Sequence, residues 1–143
     1  MRSAGSTCRS PRNRGGCCTR GTGRIVTTEL SGAKVTAAKK TFAETGLDDL
    51  ITVLEGDALT TLAALDGPVD LVLLDGWKEL YLPVLELLEP QLSDGALVVA
   101  DNTSMEGSQP YLDHVRGPGN GYVSVPFPVR DSDSMEISCR AVT

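Results

Sequence analysis

The sequence has little of what several common protein classes require. It contains one histidine, His114, and its four cysteines (Cys8, Cys17, Cys18 and Cys139) follow no zinc-ligand spacing. No apolar run approaches the roughly 18 residues of a membrane-spanning helix, and no apolar core of a secretory signal follows the arginine-rich N-terminus. These absences argue against a zinc site and a membrane span, and they favour a cytoplasmic protein.

Residues 1–24 contain no Val, Ile, Leu, Phe, Tyr or Trp, so they cannot supply a buried strand. Their composition of Gly, Ser, Arg and Pro is typical of a disordered segment. We therefore expect a head at residues 1–23 and one folded domain at residues 24–143.

Charge is divided unevenly between these two parts. The first 24 residues hold six arginines and no acid, whereas the rest holds all 19 acidic residues against seven basic ones, a formal charge of −12. A strongly acidic body argues against nucleic acid as the partner of the folded part.

Hydrophobic periodicity predicts strands and helices in alternation from residue 24 onward. The predicted strands are residues 24–30, 50–54, 69–74, 96–100, 122–129 and 135–142, and the predicted helices are residues 33–45, 59–65, 81–88 and 109–116. This order indicates an α/β fold with a doubly wound, mostly parallel sheet and an antiparallel edge at the C-terminus.

Two of the predicted strands end on acidic residues. The run at residues 69–74 stops at Asp75, and the run at residues 96–100 stops at Asp101 and Asn102. Both runs are uninterrupted and rich in Val and Leu, which predicts burial on both faces of the sheet. Ligands bind beyond the carboxyl ends of such strands, and oxygen ligands of this kind suit Mg²⁺. Lys78 is close enough to reach the same pocket, where a bound cation would favour its acting as a base.

Two further strand ends are candidates for nucleoside binding. Glu29 ends the first strand, where a carboxylate can accept hydrogen bonds from both ribose hydroxyls. Gly56, Asp57 and Ala58 follow the second strand and could border an adenine. The alternative for Glu29 or Asp57 is a simple helix N-cap, and Trp77 and Lys78 could equally be a packing residue and a solvated lysine.

The residues after the third strand carry a specific pattern. D-x-W-K-x-x-Y begins at Asp75, and D-N follows at residues 101–102 at the next strand end. Together with IVTTEL, EGDA and SMEIS elsewhere in the chain, this pattern resembles the catechol and caffeoyl-CoA type O-methyltransferases over roughly residues 23–140. These are small class I enzymes that are metal-dependent and use S-adenosylmethionine.

The resemblance implies a metal and a catalytic base at the strand ends. Asp75, Asp101 and Asn102 would hold Mg²⁺. Lys78 would take the proton from the acceptor hydroxyl, and Glu136 would position the neighbouring hydroxyl of the acceptor. Metal coordination lowers the pKa of a hydroxyl, and methyl transfer is an in-line displacement that depends mainly on positioning.

The resemblance also implies the cofactor contacts. Glu29 would bind the ribose of S-adenosylmethionine, the turn at residues 56–58 would border the adenine, and Asp75 and Trp77 would lie near the methyl donor. The family's first strand and glycine-rich loop would lie upstream of Glu29, where this chain has its apolar-free head. Gly5-Ser6-Thr7 stands at about the distance of the loop's tail, which suggests N-terminal truncation or a wrong start or reading frame, with loss of the middle strand of the sheet.

Several functions remain open at this point. The first is a Mg²⁺-assisted O-methyltransferase that acts on a small, catechol-like hydroxyl acceptor. The second is a catalytically inactive remnant that serves as a binding or dimerising module, since lost cover on the sheet would favour a homodimer. An NAD-type oxidoreductase ranks last, because the glycine fingerprint is absent and Asp101 and Asn102 would have no role. A response regulator is also disfavoured, because its early acidic pair and late lysine are missing.

Overall fold

The computed structural model describes residues 23–130 and 133–142, and the predicted head therefore lies almost entirely outside the described residues. The strands are β1 (Ile25–Glu29), β2 (Ile51–Glu55), β3 (Val69–Leu74), β4 (Leu92–Ala100), β5 (Tyr122–Arg130) and β6 (Asp133–Arg140). The helices are α1 (Gly32–Thr45), α2 (Ala58–Thr61), α3 (Tyr81–Leu88) and α4 (Gln109–Arg116). The predicted order of elements is confirmed.

Some boundaries differ from the predicted ones. α2 has only four residues and continues as a 3₁₀ turn at Leu62–Ala64, whereas a single short helix was predicted across this region. β4 begins at Leu92, four residues before the predicted start. The register with β3 shifts between Leu92 and Leu97, where Asp94 and Gly95 are exposed and Gly95 has a positive φ of 77°. Regular pairing with β3 and β6 therefore starts at Leu97, close to the predicted start of the strand.

The sheet is mixed, as predicted. β1 pairs with β2 in parallel, and β3 pairs with β4 in parallel. β4 then pairs with β6, and β6 with β5, both antiparallel. The strands form two separate ladders, β1-β2 and β3-β4-β6-β5, within the part of the chain that the structure describes. The region in which the sequence predicts loss of the middle strand, residues 1–22, lies outside the described residues.

The core lies between one face of the four-stranded ladder and helices α3 and α4. Apolar residues of α3 recur at helical spacing and meet alternate residues of β3 and β4. Buried members of this cluster include Val72, Leu74, Val98, Ala100, Tyr81, Leu85, Tyr111 and Val115. This packing fixes the carboxyl ends of β3 and β4 relative to the first residues of α3.

The opposite face of the same ladder is apolar and largely open. Two cross-strand rows lie on it, one made of Leu71, Leu97, Cys139 and Val123 and the other of Leu73, Val99, Ile137 and Val125. Leu71 is 62% exposed and Leu73 is 64% exposed. The prediction that these strands are buried on both faces is therefore wrong for the described chain, because α3 and α4 cover one face only.

Candidate functional site

Lys78 is buried at the carboxyl edge of the sheet. It lies in a 3₁₀ turn that follows β3, and only 8% of it is exposed. Its Nζ donates a hydrogen bond to the hydroxyl of Tyr81 at 2.5 Å, and that hydroxyl donates to the carbonyl oxygen of Asp101 at 2.9 Å. Lys78 is thus no solvated surface lysine, and the chain Lys78–Tyr81–Asp101 connects the ends of β3 and β4.

The two predicted aspartates lie at adjacent strand ends. Leu74 and Ala100 are register partners, and the amide of Asp101 donates to the carbonyl oxygen of Leu74 at 2.9 Å. Burial of the Tyr81 hydroxyl, with the negative charges of Asp75 and Asp101, raises the pKa of Tyr81 above its ordinary value. Both carboxylates therefore act on the same hydroxyl, next to Lys78.

Asn102 completes this group with an unusual backbone conformation. Its φ of 50° is the one positive value at a non-glycine residue in the described chain, in a region where asparagine is tolerated better than most residues. Its Oδ1 lies 3.5 Å from the Nζ of Lys78, and its Nδ2 donates to Oδ2 of Asp133 at 2.6 Å. The amide oxygen therefore faces the lysine side of the site.

The donor set fits a hard divalent cation. Within residues 23–130 and 133–142, the carboxylates of Asp75 and Asp101 have no hydrogen-bond or ion-pair partner, so their oxygens are available. No three His, Cys, Asp or Glu side chains are placed to hold a metal in that same part of the chain. A site here would consist of two carboxylates and the Asn102 amide, with other positions left for water and substrate oxygens.

The predicted nucleoside contacts form a second group at the ends of β1 and β2. The amide of Gly56 donates to the carbonyl oxygen of Glu29 at 3.0 Å, so the two strand ends are neighbours. Oε1 of Glu29 accepts from the amide of Ser31 at 2.8 Å, and Oε2 lies 3.8 Å from the Nζ of Lys34. Glu29 thus contacts the start of α1 while its side chain remains one-third exposed.

Asp57 is the N-cap of α2, where its Oδ1 accepts from the amide of Thr60 at 3.1 Å. The capping alternative is therefore confirmed for Asp57, and Ala58 is the first residue of that helix. Trp77 is 73% exposed, beside the buried Lys78. No hydrogen bond or ion pair joins the β1–β2 group to the β3–β4 group among the residues that the structure describes.

Glu136 pairs in register with Ala100, the last residue of β4, but its side chain has no hydrogen bond or ion pair to Lys78, Asp75, Asp101 or Asn102 among the described residues. It is fully buried, and its carboxylate forms a bidentate pair with Arg116, with distances of 2.8 Å from Nε to Oε1 and 2.6 Å from Nη2 to Oε2. Ser124 Oγ also donates to Oε1 at 2.6 Å. Burial alone would raise the pKa of Glu136, but the hydrogen bonds from Arg116 and Ser124 lower it overall. These contacts engage both oxygens of the Glu136 carboxylate in the described chain.

Two residues of the site were not predicted. Tyr81 stands three residues after Lys78, a spacing at which helical side chains meet, and it is the last residue of the D-x-W-K-x-x-Y pattern. Asp133 is 31 residues away from Asn102, and the sequence offers no signal for their contact. His114, the one histidine of the sequence, lies with Nε2 at 2.7 Å from Oε1 of Glu89.

Comparison with known proteins identifies the fold and the family. Residues 5–103 match the family model described as "Methyltransferase domain". The chain is 35% identical over 103 residues to catechol O-methyltransferase of Sus scrofa, covering 67% of this chain and 55% of that protein. It is 33% identical over 104 residues to a "Probable O-methyltransferase" of Mycobacterium tuberculosis, covering 65% of this chain and 45% of that protein.

A solved structure agrees with these matches at the level of the fold. The O-methyltransferase from Bacillus cereus in complex with SAH superposes with a TM-score of 0.74 at 18% identity, over 84% of this chain and 64% of that chain. The predicted class I methyltransferase fold is therefore confirmed. No described helix is both long and apolar enough to cross a membrane.

The chain spans about half the length of the curated relatives it matches. The family match begins at Gly5, inside the segment predicted to be a head, and extends through β1 to β4 and the residues that end those strands. With the sequence pattern, the sheet topology and the strand-end residues in agreement, the chain belongs to the methyltransferase-domain family.

Proposed function

We propose that this chain carries the cofactor and metal site of an S-adenosylmethionine-dependent O-methyltransferase that acts on a hydroxyl of a small, catechol-like acceptor with the help of Mg²⁺. One observation carries the proposal: Lys78 is buried where the strand ends bearing Asp75, Asp101 and Asn102 meet. Similarity to O-methyltransferases supports the type of reaction.

In this proposal Asp75, Asp101 and Asn102 hold Mg²⁺, which when bound would lower the pKa of an acceptor hydroxyl and fix its oxygen. The Nζ of Lys78 accepts the proton that the hydroxyl loses. Tyr81 holds that Nζ in place through its hydroxyl. Transfer of the methyl group from sulfur to oxygen then depends mainly on alignment of donor and acceptor.

The cofactor would be bound at the other two strand ends and beside Asp75. Glu29 accepts hydrogen bonds from the ribose hydroxyls, and residues 56–58 border the adenine. Trp77 covers the site near the methyl donor, where its exposed ring is free to pack on a ligand. Glu136, held by its buried ion pair with Arg116, would position the neighbouring hydroxyl of the acceptor.

The proposal predicts that the chain binds S-adenosylmethionine and that Glu29→Gln weakens this binding by about 10- to 100-fold, the range expected for loss of hydrogen bonds to a charged group. Isothermal titration calorimetry with and without Mg²⁺ measures both effects. Glu44→Gln is the matched control, since Glu44 lies on the exposed surface of α1 and its ion pair among the described residues is with Lys40. Absence of heat from the unsubstituted chain in both conditions would favour the inactive remnant instead.

The open sheet face supports a second proposal, self-association of the chain. Its two rows of apolar side chains carry no charge, so two copies can meet there without repulsion between their acidic surfaces. We expect Leu73→Lys to shift the molecule toward the monomer, as measured by sedimentation velocity over a concentration series. Val142→Lys, at an exposed apolar residue outside the two rows, should leave the distribution unchanged. If both variants sedimented in the same way, this face would be excluded as the surface of self-association.

A further inference from the structure

We propose that Asp133 is a positioning residue that fixes the orientation of the Asn102 amide, so that its oxygen faces the cation site. The inference rests on the proposed function and deepens it, because it assigns a third carboxylate residue, Asp133, to the orientation of the proposed metal ligand Asn102. It rests on contacts of the described chain: the 2.6 Å hydrogen bond from Nδ2 of Asn102 to Oδ2 of Asp133, and the positive φ of Asn102.

An asparagine amide presents an acceptor and a donor of nearly equal size, so its orientation is set by its neighbours. On one side, Asp133 offers a carboxylate oxygen, which accepts hydrogen bonds and therefore selects the Nδ2 group. On the other side, the Nζ of Lys78 donates to Oδ1 at 3.5 Å and therefore selects the oxygen. Both neighbours favour the same orientation, and it is the one that a hard cation requires.

Asp133 is itself held rigidly. Its Oδ1 accepts from the amide of Ser134 at 2.8 Å, which leaves Oδ2 for Asn102. The amide and the hydroxyl of Thr103 both donate to the carbonyl oxygen of Ser134, at 2.8 and 2.9 Å, and Thr103 is 4% exposed. The start of β6 is therefore attached to the residues that follow β4.

This arrangement matches a general property of metal sites, in which groups behind the ligands orient them and strengthen their donor character. The carboxylate of Asp133 polarises the amide of Asn102 and increases the negative charge on its oxygen. It also adds a negative charge near the site without occupying a coordination position. Loss of Asp133 should therefore weaken Mg²⁺ binding and leave the nucleoside contacts at β1 and β2 intact.

The first measurement uses the metal-free chain, so it does not depend on catalysis or on metal binding. In the ¹⁵N–¹H NMR spectrum, the side-chain amide of Asn102 should exchange slowly with water in the unsubstituted chain. It should exchange rapidly and shift in Asp133→Asn. Asp113→Asn, which removes one exposed carboxylate from α4, should leave the resonance unchanged. Identical Asn102 side-chain signals in the unsubstituted chain and Asp133→Asn would overturn the inference.

The second measurement is a calorimetric titration of the chain with Mg²⁺ alone. We expect Asp133→Asn to raise the Kd for Mg²⁺ by about 10- to 100-fold, the effect typical of residues behind metal ligands, and to leave the Kd for S-adenosylmethionine without Mg²⁺ unchanged. In an Asn102→Gly background, which retains the left-handed backbone and removes the amide, Asp133→Asn should add no further loss. A full additional loss in that background would overturn the positioning role.

The two measurements separate this inference from the proposed function. If the unsubstituted chain binds no Mg²⁺, the metal-assisted reaction is excluded, while the amide signal of Asn102 still decides whether Asp133 orients it. If Mg²⁺ binds equally to the unsubstituted chain and Asp133→Asn, the metal site stands and the positioning role is overturned.

Discussion

Lys78→Met is expected to lower the rate of methyl transfer to a catechol acceptor by about 100- to 10,000-fold, the usual contribution of a positioned general base. The methionine side chain has similar length and fills the same buried space next to Tyr81, but it cannot accept a proton. The rate is measured as formation of the methylated product at saturating Mg²⁺ and S-adenosylmethionine.

The control is Lys40→Met, because the side chain of Lys40 is 75% exposed on α1 and its ion pair in the described part of the chain is with Glu44. It should retain the full rate. Calorimetry should show that Lys78→Met still binds S-adenosylmethionine, since Lys78 contacts neither Glu29 nor residues 56–58 in the described chain. A Lys78→Met variant with an unchanged rate would exclude Lys78 as the base and with it the central step of the proposed reaction.

Much of the fold could be predicted from the sequence because its signals are local. The Val- and Leu-rich runs at β3 and β4, the proline near the start of α3 and the β-branched residues of β1 each specify an element within a few residues. The position of Asp75 and Asp101 at neighbouring strand ends was predictable for a related reason. Neighbouring parallel strands end at one edge of a sheet, and the register pair Leu74–Ala100 brings these residues together.

The rest depends on contacts between distant residues that leave no mark on local patterns. The strand that contains Leu71 and Leu73 is predicted from its sequence to be buried on both faces of the sheet. Whether a second helical layer covers these two residues depends on distant segments of the chain, and both are exposed. The motif around Glu136 predicts a role at the acceptor but gives no sign of its ion pair with Arg116, 20 residues earlier. The Asn102–Asp133 hydrogen bond could not be predicted for the same reason, because the two residues are 31 positions apart.

The two residues of the Arg116–Glu136 ion pair differ in exposure, so their substitutions should lower the free energy of unfolding by different amounts. The side chain of Glu136 is fully buried, whereas that of Arg116 is 44% exposed. Arg116→Met leaves an unpaired carboxylate inside the sheet, and we expect it to lower the free energy of unfolding at pH 7 by about 3–5 kcal/mol. Glu136→Gln should cost less, because the guanidinium of Arg116 can turn toward water. Urea unfolding followed by circular dichroism measures both.

The pH dependence of the free energy of unfolding identifies whether the charge on Glu136 causes the loss of stability in Arg116→Met. In the unsubstituted chain the pKa of Glu136 is lowered from its ordinary value of 4.5, so the pair stabilises the fold above that pH. This contribution disappears as the pH falls through the lower, folded-state pKa. In Arg116→Met the burial of Glu136 is no longer offset by a guanidinium, and the pKa of its carboxyl should rise above the unfolded value. That variant should therefore regain stability as the pH falls from 7 toward 4, while the unsubstituted chain does not gain from Glu136 over this range.

Two further variants test this interpretation. Lys40→Met removes an exposed i, i+4 ion pair of α1 and should change the free energy of unfolding by no more than about 0.5 kcal/mol. Arg116→Met combined with Glu136→Gln should recover part of the stability that Arg116→Met alone loses, because the stranded charge is gone. If Arg116→Met and Glu136→Gln were equally destabilising at every pH, loss of packing alone would explain both, and the buried carboxylate would not be the source of the effect.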